Sequence, residues 1–558
     1  MSYEADYKKR LWGWLSYAFA SEVFVVVSLT LFLPICLEQF ARDNGFLQPD
    51  RIKPCSSVST ILLSNSDERC VVKIGWAWID TASFSLYVYS ISVALQALTV
   101  ISMGSIADRP SYRKLLLLSF AGMGAVSATL FLILPSSSAI WMLSAILAVL
   151  SNVGFGASVV AMNAYLPSLA RASPDVLKEL DELETSHTDS DNIDSLDDQE
   201  LTATLASEPL LGRPRDSTLS QKKYNLVLSR ATSRISALGI ASGYGAGIIL
   251  LLIALVPVTK LHGSTFSLRL AIGLSGIWWA GFSIPAAIWL PVTDIISSGN
   301  NNETMANRNM PKSDDDWTIS SEIVAAWGRL GVMLHWKQIK RLQHTFRYLA
   351  AWFLLSDGFT TITSTAILFG KTSLHMQSSS LVLIGAITPT MGIIGSLVFP
   401  VLQRKFSWSN LRVLVILVVM VSLIPAYGCL GFLPVFRKHS TFGGLTTQGE
   451  MFGLAVYFGL AYGAFQSYAR AFYAELLPPG EEARWYGLFS ITDKSSSFVG
   501  PLVVGLIADS TGNIRYAFFF LIFMIWLAVP VLLSVDVEKG GRDAKEYRRS
   551  LGENSSLD

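Results

Sequence analysis

Residues Leu11–Leu33 read LWGWLSYAFASEVFVVVSLTLFL, an apolar run long enough to cross a lipid bilayer as one helix. The run contains a single charged residue, Glu22, near its middle. A carboxylate at bilayer depth is costly, so residues of this kind usually face a cavity or a polar partner. This stretch therefore predicts a membrane protein with a polar feature inside its helical bundle.

The whole chain repeats the apolar pattern of its first segment. Its 558 residues are 51% hydrophobic and 15% charged, and the net charge of +1 gives no basic field for nucleic acid. Apolar blocks of about twenty residues recur along the sequence. We predict an all-α polytopic membrane protein with 12 transmembrane helices in two six-helix halves, spanning 11–35, 79–104, 115–134, 139–165, 233–258, 266–290, 346–370, 379–402, 411–433, 450–474, 485–510 and 514–535.

Lys and Arg concentrate on one side of this topology, which predicts that both termini are cytoplasmic. The first residues lack a cleavage pattern, so the first span is expected to act as an uncleaved signal anchor. The predicted organisation is an N-terminus at 1–10, four spans over 11–165 with a lumenal loop at 36–78, an acidic loop at 166–232, spans five and six at 233–290, a linker at 291–345, a second half at 346–535 and a tail at 536–558.

Two cytoplasmic segments separate groups of spans. Residues 173–216 contain thirteen Asp and Glu against three Lys and Arg, which predicts disorder. In the linker, Ile323–His344 has apolar and basic residues at helical spacing and is interpreted as an interfacial helix. A calmodulin-type target helix is the alternative. The sequons at Asn302 and Asn554 lie in segments predicted to be cytoplasmic, so both are expected to be unmodified.

The four cysteines are too few for a disulfide scaffold. Cys36 and Cys429 lie in or beside apolar runs and are interpreted as buried small hydrophobes. Cys55 and Cys70 share one polar loop, and they could pair if that loop faces an oxidising lumen. The sequence leaves both states of this pair open.

The two halves share a weak internal repeat. FGASVVAMNAY (Phe155–Tyr165) aligns with YGAFQSYARAF (Tyr462–Phe472), which puts Asn163 opposite Arg470. Parallel repeats of six spans are typical of carriers with two rocking halves and a site near the bilayer midplane.

A polar loop, GSIADRPSYRK (Gly104–Lys114), lies between the second and third spans. It resembles the loop signature of the major facilitator superfamily, although Ser111 and Tyr112 replace the expected glycine and arginine. The resemblance implies a cytoplasmic gate. The alternative is an ordinary cytoplasmic loop rich in Lys and Arg, which would explain the basic residues but not Asp108. The gate residues are Gly104, Asp108, Arg109, Arg113 and Lys114.

No motif in the sequence supports an enzyme or an ATP-driven transporter. GIASGYGAG lacks the preceding strand and the Lys-Ser/Thr ending of a phosphate loop, and no metal-ligand spacing or nucleophile elbow is present. We expect no cofactor. Gly239, Gly243 and Gly247 instead recur every four residues, which is typical of close helix packing.

Polar residues inside the predicted spans are the candidate site. They are Glu22, Asn152, Asn163, Asp357, Gln466, Arg470, Asp493 and Lys494. A zwitterion needs a cation for its carboxylate, which Arg470 or Lys494 could supply, and an acid for its ammonium, which Glu22 or Asp357 could supply. A buried acid could instead carry a coupling proton, and a structural ion pair such as Glu22 with Lys494 is a further alternative.

Several segments together resemble the autophagy-related, Atg22-like vacuolar amino-acid effluxers of fungi, a branch of the major facilitator superfamily. They are Gly13–Gly45, Ala107–Leu117, Ala241–Leu252, Leu354–Ile362 and Arg484–Asp509. The resemblance implies a multi-pass vacuole membrane protein that exports leucine and similar amino acids after autophagic breakdown and supports survival in nitrogen starvation. The competing hypotheses are a non-transporting receptor or scaffold that signals through its acidic loop, and a lipid-handling enzyme.

Overall fold

The computed structural model describes residues 2–48, 51–55, 69–107, 109–138, 140–182, 214–261, 263–292, 319–433, 443–478 and 482–555. Three short strands are β1 Phe46–Leu47, β2 Cys70–Ile74 and β3 Ala77–Asp80. The helices of the first half are α1 Ser2–Val23, α2 Leu33–Asp43, α3 Thr81–Ala107, α4 Pro110–Leu130, α5 Leu143–Asn163, α6 Leu166–Arg171, α7 174–182, α8 Pro214–Lys260 and α9 Thr265–Trp289.

The remaining helices form the linker, the second half and the tail. They are α10 Ile319–Met333, α11 Trp336–Arg341, α12 Gln343–Thr372, α13 Ser378–Phe406, α14 Asn410–Leu430, α15 Gln448–Glu475, α16 Glu482–Ser496, α17 Val499–Thr511, α18 Ala517–Leu533 and α19 Val537–Ser555, with a 3-10 turn at Ile514–Tyr516.

The first span is longer than the predicted 11–35. A π-helical segment, Phe24–Phe32, joins α1 directly to α2, and the continuous helix runs to Asp43. The predicted lumenal loop 36–78 is therefore wrong over its first residues. The helix continues because Ile35, Cys36 and Phe40 are fully buried against the bundle.

A small antiparallel sheet follows, so the chain is not purely α-helical. β2 and β3 form a hairpin in which Ile74 pairs with Ala77, and the tight turn uses Gly75 at a φ of 58°. β-branched residues favour the strands on either side of this turn. The second span therefore begins at Thr81 rather than 79, which leaves Asp80 in the sheet.

Cys55 and Cys70 are joined by a disulfide beside this sheet, with Cα atoms 5.9 Å apart. The structure thus resolves the alternative that the sequence leaves open. Cys36 is buried and free, as predicted, and Cys429 is half-buried and free.

Ten helical segments of the described residues are long and apolar enough to cross a membrane. The predicted tenth span is one long helix that is not apolar enough to be among these ten, and the predicted eleventh is divided into two helices of 15 and 13 residues. The tenth, α15, carries Gln466 and Arg470, and the eleventh is broken into α16 and α17 around the polar run Asp493–Ser497. The polytopic helical fold is confirmed, and the count of twelve spans stays a prediction.

Two predicted cytoplasmic segments differ from expectation where they are described. The 166–232 loop contains α6 and α7, and α8 begins at Pro214 instead of 233. Most of the acidic residues, at 183–213, lie outside the described residues, as does Asn302. The single linker helix predicted over Ile323–His344 is divided into α10, α11 and the start of α12, because the chain turns at His335, whose Nδ1 accepts the Lys337 backbone N–H.

Glycines allow neighbouring helices to pack closely. Gly239 lies against Trp14, Gly243 against Glu22 and Gly247 against Val26, as their spacing predicts. In the second half, a Cβ added to Gly463 would lie 2.0 Å from the Gly392 carbonyl oxygen of α13. Backbone contact of this kind fixes α15 firmly against α13.

Candidate functional site

The bundle has two ends, which are named here by their features. The sheet end carries β1–β3 and the disulfide, and the linker end carries α10 and the loop after α3. The halves are joined near the sheet end: the Ser83 hydroxyl donates to the Gly505 carbonyl (2.9 Å), and Ser90 donates to Phe498 (2.6 Å). Arg69 donates to the Thr511 carbonyl in the same region (2.6 Å).

Towards the linker end, polar side chains between the halves are accessible. Among the described residues, α5 and α15 share no hydrogen bond or ion pair, and both Asn163 of α5 and Arg470 of α15 are exposed. The Lys494 side chain is 44% exposed although its helix lies within the bundle. Three predicted site residues, Asn163, Arg470 and Lys494, are thus accessible, whereas Asp357 is buried.

The break between α16 and α17 is organised by Asp357. This residue is 2% exposed, and its carboxylate oxygens accept the Gly500 backbone N–H at 3.0 and 2.8 Å. The Thr361 hydroxyl lies 3.4 Å from the same carboxylate. Because Gly500 belongs to the first turn of α17, the acid satisfies a free helix N–H group and complements the helix dipole.

Asp493 and Lys494 lie on the other side of this break. The Ser356 hydroxyl donates to Asp493 at 2.5 Å, and Lys494 Nζ lies 3.8 Å from the second carboxylate oxygen. Ser496 and Ser497 donate to the Asp493 carbonyl. The break therefore presents an acid, a base and hydroxyl groups in a short polar segment, as discontinuous helices do at carrier sites.

Glu22 faces this segment from the first half. It is partly buried, it lies against Gly243 of α8, and the charges of Lys494 and Arg470 act on it electrostatically. The expected Glu22–Lys494 ion pair is not among those of the described residues, where Lys494 pairs with Asp493 instead. Glu22 lies two residues before the π-helical segment, which begins at Phe24, and π-helical geometry is frequent at functional sites.

Other predicted residues have structural contacts. Asn152 is fully buried, its side-chain amide donates to Ser92 (2.8 Å), and its carbonyl groups accept from Gln96. Gln466 donates to the Tyr462 hydroxyl at 2.9 Å. Asn152 therefore ties α5 to α3, whereas Gln466 makes a local contact within α15.

Sequence reasoning missed three residues that organise the site: Ser356, Gly500 and Tyr244. Tyr244 is 39% exposed and lies within the electrostatic range of Glu22 and Arg470. The polar run Asp493–Ser497 within a predicted span is the one sequence signal that points to the break. No sequence pattern indicates that Ser356 and Tyr244, which lie on other helices, are close to this break.

The predicted gate residues lie at the linker end. Arg109 pairs with Glu322 of α10 at 2.5 Å, and Arg113 donates to the Ala107 carbonyl and lies over the Tyr165 ring. Lys114 donates to the Leu290 carbonyl at 2.9 Å. Gly104 lies in α3 with open space around its Cα, and Asp108 is outside the described residues.

The described residues contain no group of three or more His, Cys, Asp or Glu side chains that could hold a metal ion.

Comparison with solved structures identifies the fold. The chain resembles the inward-open xylose transporter XylE from E. coli, with a TM-score of 0.51 and 9% identity over 96% of each chain. It also resembles a bacterial homologue of the iron transporter ferroportin in an inward-facing state, with a TM-score of 0.50 and 12% identity over 95% of this chain and 98% of the other. The protein therefore has the fold of these structures, the major facilitator fold.

Its sequence identifies the particular family. The profile "Vacuole effluxer Atg22 like" matches residues 6–545. Autophagy-related protein 22 of Cryptococcus neoformans var. neoformans is 41% identical over 575 residues, covering 96% of both chains. Autophagy-related protein 22-1 of Aspergillus fumigatus is 39% identical over 96% of this chain and 91% of the relative. The chain belongs to the Atg22-like family.

Proposed function

We propose that this transporter exports leucine and similar amino acids from the vacuole lumen to the cytosol by alternating access. The observation that carries this proposal is the group of opposite charges at the broken span: Glu22 lies opposite Lys494 and Arg470 without a direct ion pair in the described residues. In this proposal the linker end faces the cytosol, the sheet end faces the lumen, and the vacuole is the location that the family description supports.

A free amino acid fits this charge pattern. Its carboxylate pairs with Arg470 or Lys494 and its ammonium with Glu22, while the hydroxyl groups near the break accept or donate the remaining hydrogen bonds. Asp357 is less suited to substrate binding because its carboxylate already caps α17. Protons remain the proposed coupling ion, and Glu22 is the first candidate to carry one.

Uptake and efflux of labelled leucine, lysine and a sugar in proteoliposomes, with and without a pH gradient, test this function. We expect leucine flux and no sugar flux. Glu22→Gln should fold normally, since Glu22 has no ion partner within 4.0 Å among the described residues, and should reduce leucine exchange at least tenfold. If the variant retains exchange and loses only pH dependence, Glu22 carries a proton and does not bind the substrate.

Glu4→Gln is the matched control. Glu4 lies on the same helix and pairs with Lys8 at the surface, so its variant should transport as well as the native protein. A folded native preparation with no amino-acid flux would contradict the proposal and favour a receptor or scaffold role.

A further inference from the structure

Three carboxylates that the transport site does not use lie together at the sheet end. They come from three elements: Glu38 from α2, Asp80 from β3 and Asp509 from α17. Asp509 Oδ1 accepts the backbone N–H of Asp80 at 2.8 Å, which is a direct hydrogen bond between the first and second halves of the transporter. Asp80 Oδ1 in turn accepts the Ala82 backbone N–H at 2.9 Å and so caps α3.

The charges around Asp80 are mainly negative. Burial, together with the smaller effects of the Glu38 and Asp509 charges, raises the pKa of the Asp80 carboxyl to about 6, although hydrogen bonds from the Ala82 and Ser83 backbone act in the opposite direction. No cation of the described residues lies within 4.0 Å of Asp80 or Asp509. Arg42 instead pairs with Glu38 at 3.8 Å, and Arg69 donates to the Thr511 carbonyl.

The remaining titratable groups near this cluster are on neighbouring elements. Tyr87 of α3 lies within the electrostatic range of both Asp80 and Asp509, and it packs against Gly505. His375, in the loop after α12, has a pKa lowered by burial and by the positive charges of Arg42 and Lys371. Among the described residues, neither Arg42 nor Lys371 forms an ion pair with Asp80, and Arg42 pairs with Glu38.

We propose that Asp80, Asp509 and Glu38 form a proton-binding latch that holds the two halves together at the sheet end. One proton, taken up by Asp80 when this end closes, neutralises a carboxylate that would otherwise repel its two acidic neighbours. When the end opens, Asp80 separates from Asp509, becomes hydrated and releases the proton to the same side.

The direction of the pH effect follows from linkage. Asp80 binds its proton more tightly in the closed state, with a pKa of about 6, than in an open, hydrated state with an ordinary pKa of about 3.9. Acidification below about pH 6 therefore favours closure, by up to tenfold per pH unit down to about pH 4. That the acidic side is the vacuole lumen rests on the proposed function, but the latch itself requires no substrate.

Double electron–electron resonance distances across the sheet end test the latch. Spin labels are attached to the exposed residues Lys73 and Ser510 by Lys73→Cys and Ser510→Cys in purified protein carrying Cys36→Ala and Cys429→Ala. We expect the short-distance population to decrease as pH rises from 4.5 to 8. Asp80→Asn, which keeps the helix cap and mimics the protonated state, should hold this population at its acidic value at every pH.

Asp509→Asn and Asp43→Asn complete the set. In Asp509→Asn, loss of the Asp509 charge should move the pH midpoint of the short-distance population to lower pH. Asp43 lies at the same end but bonds Gln39 and Thr265 within the first half, so Asp43→Asn should show the same pH dependence as the native protein. Native distances that do not change with pH would overturn the proposal. A pH dependence in Asp80→Asn equal to that of the native protein would also overturn it. If Asp80→Asn fails to fold, an unchanged pH midpoint in Asp509→Asn would overturn the proposal.

Discussion

At the scale of single residues, the two acids Glu22 and Asp357 occupy opposite physical situations. Asp357 is almost fully buried, and its oxygens are used by Gly500 and Thr361, which is how a buried carboxylate is normally stabilised. Glu22 is partly accessible, and the charges of Lys494 and Arg470 act on it although it forms no direct ion pair with either among the described residues. An acid that faces two cations and has unused hydrogen-bonding capacity is the better candidate for a ligand contact.

The Asp357 cap leads to a prediction for Gly500→Ala. A Cβ at this position would lie 1.9 Å from Thr361 Oγ1 and 2.9 Å from Asp357 Oδ1, so the cap and α17 must move apart. We expect a loss of about 1–3 kcal/mol of stability, the usual effect of overpacking a buried site. Thermal denaturation of the purified protein measures the change.

Gly487→Ala is the control for this variant. Gly487 lies in the same broken span and has no neighbouring atom within 4 Å of an added Cβ. Its replacement should be neutral or stabilise the helix by up to about 1 kcal/mol. Equal stability of the two variants would show that the Asp357–Gly500 contact does not hold α17.

At the scale of elements, the linker helix α10 is docked on the first half at the end opposite the sheet. Glu322, whose side chain is 13% exposed, pairs with Arg109 of the gate loop and lies 3.7 Å from Arg329. The Trp327 indole N–H donates to Ser102 of α3 at 3.2 Å. α10 is therefore fixed to the end of the second span rather than only adsorbed to the bilayer surface.

Glu322→Gln should loosen this attachment. Removing the charge weakens a charged hydrogen bond worth about 1.5–3 kcal/mol, so we expect hydrogen exchange of the α10 amides to accelerate at least tenfold. Hydrogen–deuterium exchange with mass spectrometry measures this rate. Glu546→Gln, at an exposed position of the tail helix α19, should leave exchange in α10 unchanged. Unchanged protection of α10 in Glu322→Gln would assign its docking to the apolar and Trp327 contacts alone.

At the scale of the whole molecule, the two ends are chemically different. The sheet end carries a disulfide, and such bonds persist in oxidising compartments. The linker end carries most of the basic segments, which the positive-inside rule assigns to the cytosol. Both features support the proposed orientation, with the linker end in the cytosol and the sheet end in the lumen.

Cysteine accessibility in intact vacuoles tests the orientation. Trp76→Cys, in the sheet hairpin at a 96% exposed position, and Trp336→Cys, at a 65% exposed position of the linker, are introduced separately into the protein with Cys36→Ala and Cys429→Ala. A membrane-impermeant maleimide added outside should label position 336 directly and position 76 only after permeabilisation. The reverse pattern would invert the proposed topology.

The sequence by itself determined the class of fold and most of the span positions. Apolar runs of bilayer length require helices, because no water is available there to satisfy backbone groups, and this signal is local. It also identified Glu22 and the polar run around Lys494 as unusual. It failed at α2 and at the β2–β3 hairpin, where amphipathic or short elements lack a bilayer-length pattern.

Only the tertiary structure decided what the polar residues do. Asp357 caps α17, Asn152 ties α5 to α3, and Asp80 meets Asp509 through contacts between residues far apart in the sequence. Glu22, by contrast, is left facing the charges of Lys494 and Arg470. The physical reason is that a side chain's role depends on which donors and charges surround it, and those come from helices whose packing no local sequence pattern encodes.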